Sequence, residues 1–254
     1  MRAYTSMYLK DKKILVTGSS SGIGQAIAIA CAQAGATVIV HYRKNLKGAK
    51  RTLRSVEKFS KGFVMQTDLT DEGKIHKMFT SIAEKVGPLE VLVNNAGEAV
   101  GSDFFDNSAW ESQFENIFFS ALHTSQRFIQ QNKSAHLRKI LNIASIYGNL
   151  TTGNTEFFAY SVAKAALESL TVILAKRDPK ILVNAIAPGY VWTPPWEGIS
   201  KKEKKLCESR TMIGRFIMPE EIAHMAVAVL ENDALTGQVL TVDGGFGLQK
   251  SERK

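Results

Sequence analysis

Tyr160 and Lys164, four residues apart in Tyr160-Ser161-Val162-Ala163-Lys164, have the types and spacing for proton chemistry. On a helix, positions i and i+4 share a face. A phenol with a pKa of about 10 is a weak acid–base group at neutral pH. A nearby ammonium favours the phenolate and brings that pKa down. Such a pair can pass a proton to or from an oxygen atom. The same spacing occurs on ordinary surface helices, so its meaning depends on the surroundings. A second chemical feature lies near the start, in Thr17-Gly18-Ser19-Ser20-Ser21-Gly22-Ile23-Gly24. Glycines let a turn tighten and bring backbone N–H groups against a phosphate at a helix N-terminus. Any tight turn also favours Gly and Ser. The apolar run before the loop and the apolar helix after it favour dinucleotide binding.

These residues need elements to hold them. Short apolar runs predict strands over Lys13–Thr17, Thr37–His41, Gly62–Gln66, Leu89–Asn94, Lys139–Ala144, Ile181–Ala187 and Val239–Val242. Between them, amphipathic stretches predict helices over Ile23–Ala34, Leu46–Phe59, Glu72–Val86, Ser108–Gln130, Phe157–Ala175 and Pro219–Leu230. This alternation calls for an α/β fold, a doubly wound and mostly parallel Rossmann-type sheet with helices on both faces. Ligands then sit at the carboxyl ends of the strands. No repeat or linker divides the chain, so one domain over residues 1–254 is expected. The segment 188–215 begins without clear periodicity and reads as a lid over the site. Within it, Ser200-Lys201-Lys202-Glu203-Lys204-Lys205 reads as a solvated helix.

The glycine spacing is T-G-x-x-x-G-x-G, and it resembles the short-chain dehydrogenase/reductase family. The resemblance runs on in order through most of the chain. Asp68-Leu69 follows the third strand, Asn94-Asn95-Ala96-Gly97 ends the fourth, and Tyr160 with Lys164 forms Y-x-x-x-K. Pro188-Gly189 with Thr193 matches the family's nicotinamide-side loop, and Asp243-Gly244-Gly245 its closing motif. The type of member it resembles includes the 3-oxoacyl-[acyl-carrier-protein] reductases. The resemblance implies an NAD(P)-dependent oxidoreductase that moves hydride between a nicotinamide and a carbonyl or alcohol. Ser145, Tyr160 and Lys164 would be catalytic, with Ser145 bonding the reacting oxygen and Lys164 also holding the nicotinamide ribose. The expected cofactor residues are Gly18, Ser20, Ser21, Gly22, Ile23, Gly24, Tyr42, Arg43, Asp68, Leu69, Asn95, Ala96, Gly97, Tyr160, Lys164, Pro188, Gly189, Val191 and Thr193. No metal is implied.

The end of the second strand sets cofactor choice, because an acid there binds the ribose of NAD and a base accommodates the 2′-phosphate of NADP. That position falls at Tyr42, followed by Arg43, and no Asp or Glu occurs between Asp11 and Glu57. NADP(H) is therefore preferred, with NAD(H) left open. Two features depart from the family. Tyr160 follows Ser145 at slightly more than the usual spacing, which enlarges the loop 147–157. Counting from Trp110 without a gap puts Ile117, not Asn116, at the family's helix Asn. That loss gives the alternative reading: a cofactor-binding sensor or scaffold with weak catalysis.

Composition narrows the rest. Net charge is +8, concentrated in 43–54, 201–205 and 250–254, but no nucleic-acid module accompanies it. The N-terminus has no secretory h-region, and runs such as Ala26–Ala32 are too short to span a membrane. Cys31 and Cys207 are too far apart for a metal site and read as free thiols, which suits the cytoplasm. Tyr147, Phe157, Phe158, Tyr190, Trp192 and Trp196 are expected round an apolar substrate pocket. The substrate class stays open among 3-oxoacyl thioesters, sugars and small ketones. The resemblance implies a homo-oligomer, dimer or tetramer, through the helices 108–130 and 157–175. Ala159, Ala163, Ala165 and Ala166 would let those helices approach.

Overall fold

In the computed structural model, which describes residues 8–131, 137–246 and 248, seven strands form one sheet in which every pairing is parallel. They are β1 (Lys13–Val16), β2 (Thr37–Tyr42), β3 (Gly62–Gln66), β4 (Val91–Asn94), β5 (Arg138–Ile143), β6 (Ile181–Pro188) and β7 (Val239–Val242), in the order β3-β2-β1-β4-β5-β6-β7. Successive side chains of a strand point to opposite faces. Ile14 and Val16 accordingly pack with Val38, Val40 and the helix residues Ile27 and Ile222. Leu15 packs on the other face with Ile39, Leu92, Ile140 and Phe79. Both faces are covered, which is why strands such as β1 and β4 are largely apolar and do not alternate.

The crossover helices are α1 (Gly22–Gln33), α2 (Leu46–Val56), α3 (Glu72–Val86), α4 (Asn107–Gln113), α5 (Ser120–Gln130), α6 (Phe158–Ala175) and α8 (Pro219–Glu231). The doubly wound α/β fold expected from the sequence is the one observed. The order reverses between β1 and β4, and this reversal opens a crevice at their carboxyl ends.

Three differences bear on the site. The helix expected over Ser108–Gln130 is broken: six residues, Phe114–Phe119, wind as a π-turn between α4 and α5. Such turns mark functional sites often, and no Gly or Pro betrays this one. The segment after β6 contains a helix, α7 (Lys201–Ser209), which starts at a capping box between Ser200 and Glu203. Finally, α6 is 18 residues long with a hydropathy of 1.4, enough to span a membrane by length and composition alone. That corrects the judgement from Ala26–Ala32. The apolar side chains of α6 include Ala163 and Leu167, packed on the π-turn and α5.

Polar groups also tie the sheet together. Asn94 Nδ2 donates to Asn142 Oδ1 (2.9 Å) and Ser125 Oγ (3.0 Å), and Asn142 Nδ2 donates to Thr171 Oγ1 (2.9 Å). On β5, Lys139 is buried and donates to Leu230 O (2.7 Å), Asn232 O (3.2 Å) and Asp233 Oδ1 (2.6 Å). Its ammonium also lies 3.9 Å from the centre of the Tyr8 ring. The three hydrogen bonds fasten the end of α8 to the sheet.

Candidate functional site

The glycine-rich loop is held from beneath. Gly18 has φ +63°, a left-handed value, and a Cβ there would lie 2.9 Å from Ala96 Cα. A Cβ on Gly24 would lie 2.3 Å from Asn95 Nδ2 and 2.7 Å from Gly18 O, so any side chain would push the loop off β4. Thr17 Oγ1 accepts from the backbone N–H groups of Asn95 (2.9 Å) and Ala96 (3.0 Å), and Asn95 Nδ2 donates back to Thr17 O (2.9 Å). Ser21 is the N-cap of α1 but its side chain caps nothing. The first-turn N–H groups are thus left for an anion.

Sequence reasoning missed His41. Its Nδ1 accepts from Gly18 N (3.0 Å), and its Nε2 lies 3.0 Å from Thr67 O. Burial pushes its pKa down to about 4, so the ring is neutral, with Nε2–H donating to Thr67. Nothing local in an apolar strand signals a contact with a loop 23 residues earlier.

A cleft of about 420 Å³ opens beside this loop at the β1–β4 crevice. It is lined by Gly18, Ser20, Tyr42, Arg43, Asp68, Leu69, Asn95, Ala96 and Gly97, all expected cofactor residues. His41, Lys44, Asn45, Thr70 and Asn116 line it as well. Arg43 Nη1 donates to Asn116 Oδ1 (2.7 Å) across its mouth, while Gln66 Nε2 donates to Arg43 O (3.1 Å). Asn116 therefore faces this cleft, whereas Ile117 is buried against Ala121, Ala163, Leu167 and Tyr160.

The remaining expected residues lie outside the cleft. Ser21, Gly22, Ile23 and Gly24 start α1. Pro188 ends β6, Gly189 N donates to Val242 O (2.9 Å), and Val191 forms an isolated bridge with Ile217. Thr193 then crosses the glycine loop: its Cγ2 lies 3.2 Å from where a Gly22 Cβ would be.

Ser145, Tyr160 and Lys164 meet where β5 ends and α6 begins. Ser145 follows the strand with extended φ −164°, and its Oγ accepts from Tyr147 N (3.2 Å). The Ser145 hydroxyl also acts on the Tyr160 phenol, favouring its ionised form. Lys164 Nζ is buried and donates to Ile143 O (2.6 Å), 5.7 Å from the Tyr160 ring centre. Burial pushes the Lys164 pKa down to about 8, and the Glu168 charge pulls it up.

One expectation changes here. The Lys164 ammonium was expected to depress the Tyr160 pKa. In the chain itself that pKa is raised, because burial of the phenolate outweighs the lowering effect of Ser145.

Aromatic side chains surround the triad. Tyr147 stacks on Phe157 (6.0 Å between centres) and meets Tyr160 edge-on (6.5 Å). Tyr147 and Tyr190 hydroxyls are 3.0 Å apart, and Arg210 Nη1 donates to Tyr190 (3.0 Å). Trp196 packs on Tyr190 (5.6 Å), and Trp192 on Phe216 (5.1 Å). Phe158 does not belong to this group; it turns away to Phe104 (5.7 Å). Phe246, which sequence reasoning missed, closes on Tyr190 at 5.3 Å. The arrangement can hold a nucleotide along the cleft, present a half-buried phenol and a buried hydroxyl to one oxygen atom, and wall that point with rings.

Comparison with known proteins agrees with this geometry. A family model described as Enoyl-(Acyl carrier protein) reductase matches residues 18–247. The 3-oxoacyl-[acyl-carrier-protein] reductase FabG of Thermotoga maritima is 31% identical over 251 residues, spanning 94% of this chain and 99% of FabG. Among solved structures, Pseudomonas aeruginosa RhlG in complex with NADP superposes with a TM-score of 0.88 at 28% identity, over 96% of this chain and all of RhlG. Gluconobacter frateurii L-sorbose reductase, solved with NADPH and L-sorbose, gives 0.88 at 27% identity over 95% and 98% of the two chains.

Proposed function

Because this chain belongs to the short-chain dehydrogenase/reductase family, we propose that it is an NADP(H)-dependent carbonyl reductase or alcohol dehydrogenase in which Tyr160 exchanges the proton of the substrate oxygen. The observation that carries the reading is the buried junction of Ser145, Tyr160 and Lys164. The bound nicotinamide would supply or accept the hydride. The chain does the rest. Ser145 and Tyr160 orient the oxygen, Lys164 presents a cation beside the phenol, and the ring wall excludes water.

The residues fit NADP. The uncapped start of α1 suits a pyrophosphate, Asp68 and Leu69 line the adenosine cleft, and Lys44 and Arg43 put positive charge at its rim. The NADP and NADPH complexes of the solved relatives support the same cofactor. Arg43→Ala should weaken NADPH binding by about 10-fold or more, the worth of a charge-assisted hydrogen bond, and leave NADH nearly unchanged. Equal loss for both, measured by fluorescence titration, would overturn this assignment.

For the substrate, the relatives' names supply 3-oxoacyl thioesters and a sugar, and the ring-walled approach favours an apolar ketone or thioester. A screen of such carbonyls with NADPH, followed at the nicotinamide absorbance and repeated with Tyr160→Phe, tests the reading. Tyr160→Phe should bind NADPH but lose about 10²–10⁴-fold in reduction. A parent that binds NADPH yet reduces nothing would favour the low-turnover binding protein that the buried Ile117 leaves open.

We also propose one domain with residues 188–215 as lid, a cytoplasmic location, and a dimer or tetramer built on the π-turn helix and α6. Ala159 and Ala163, offered above as contact residues, are buried within the chain, so Val162 and Ile173, exposed on α6, would make the contact instead. Light scattering gives the mass.

A further inference from the structure

Tyr160, Lys164 and Glu168 form one column along α6, each a turn from the next. Glu168 Oε1 is buried and has no hydrogen-bond partner among the described residues. The turn Ile146–Gly148, which directly follows Ser145, lies against it. A Cβ on Gly148 would sit 2.9 Å from Glu168 Oε1, 2.9 Å from Lys164 C and 3.0 Å from Ala165 N. Glycine at 148 is what lets this turn lie on α6 and cover the carboxylate.

Groups facing this column come from the π-turn, the Ile146–Gly148 turn, β5 and α6 itself. The π-turn contributes Phe114 and Ile117 to this face of α6. The Ile146–Gly148 turn contributes Tyr147, whose hydroxyl is bonded to Tyr190. On the strand side Lys164 Nζ has the Ile143 carbonyl, and on its own helix it has Tyr160 and Glu168. The Glu168 carboxylate is the charge that raises the Lys164 pKa against burial.

We propose that Glu168 is a positioning residue that keeps Lys164 in its ammonium form at working pH. The inference rests on the reading of Tyr160 and Lys164 given above. Burial favours the neutral amine at Lys164, and the carboxylate one turn away offsets part of that cost. The two groups are matched: burial raises the Glu168 pKa to about 7 and lowers that of Lys164 to about 8, and each charge favours the other. Without Glu168, Lys164 would become a neutral amine at lower pH, and the phenol would lose its cation.

The test is Glu168→Gln, which keeps the volume and removes the charge. The first readout needs no cofactor: lysine side-chain NMR of the apoprotein across pH, with the Lys164 signal assigned by its loss in Lys164→Arg. The Lys164 midpoint should fall by about half a unit or more, a roughly threefold change in proton affinity. The second readout is the pH profile of NADPH-dependent reduction of acetoacetyl-coenzyme A or another carbonyl from the screen. Its alkaline limb should move to lower pH by the same amount. Glu168→Asp, which keeps the charge but withdraws it, should fall between the two and serves if Glu168→Gln does not fold. An unmoved midpoint overturns the proposal, and so does a moved midpoint with an unmoved alkaline limb. Undiminished reduction by Tyr160→Phe would instead overturn the catalytic reading, while the apoprotein titration still decides whether Glu168 controls Lys164.

Discussion

Lys139 on strand β5 and Lys164 on helix α6 are both almost wholly buried, at 2% and 4% exposure, yet their surroundings differ. Lys139 has three oxygen acceptors and an aromatic ring around its ammonium. Its donors are used up, and it binds β5 to the end of α8. Among the described residues Lys164 has one acceptor, Ile143 O, which leaves two N–H donors for a ligand. A buried charge with full partners is a fastener, and one with open donors is held ready at a cost in stability. Burial lowers both pKa values, in Lys139 against the pull of Asp233 and in Lys164 against that of Glu168.

The sharpest way to break this comparison is to remove each ammonium while keeping its bulk. Lys164→Met should lose about 10²–10⁴-fold in reduction, comparable to loss of the acid–base group it is proposed to serve. Its melting temperature should stay the same or rise, because an incompletely paired buried charge is gone. A variant that unfolds would make Lys164 a fastener too. Lys139→Met should do the reverse. Two carbonyls lose their donor and Asp233 its cation, at about 2–3 kcal/mol, because Asp233 is itself exposed. Melting should fall by roughly 5–10 °C, with turnover per folded molecule unchanged. A thermal melt beside a rate assay separates the two variants.

Ile117→Asn probes the apolar packing beside Lys164. Ile117 packs with Ala163, Leu167 and Tyr160, so an unpaired amide there should cost about 1–3 kcal/mol. A melt unchanged from the parent, together with faster turnover, would mean that the amide reaches the reaction centre.

The smallest effect is on stability against pH. Lys164 sheds its proton at about pH 8 when folded and at about 10.5 when not. In that window the unfolded chain binds more protons, so stability rises with pH and the penalty is fully present below pH 8. Between pH 8 and 9 the parent should gain about 1 kcal/mol over Lys164→Met. A pH-independent difference between the two would mean that Lys164 is not strained by burial.

How much of this was legible in the sequence follows from the range of each interaction. Strand–helix alternation is local, so the parallel sheet could be read, as could the glycine loop and the Tyr160–Lys164 face. His41 on Gly18, Arg43 on Asn116 and Phe246 on Tyr190 join residues far apart in the chain, and no local spacing encodes them. The π-turn escaped because its residues, Phe-Glu-Asn-Ile-Phe-Phe, continue a helical pattern without a breaker. The rise of the Tyr160 pKa escaped because spacing reports a neighbour's charge but not the depth of burial.

Thr193 lying across Gly22 has a consequence for the order of events in turnover. A pyrophosphate bound at the start of α1, as proposed, would lie beside Thr193, so its departure is expected to require movement of the segment that carries Thr193. A small carbonyl substrate makes no such demand. The expected kinetics are therefore sequential and ordered, with the nucleotide first on and last off, and with its departure setting the pace at saturation.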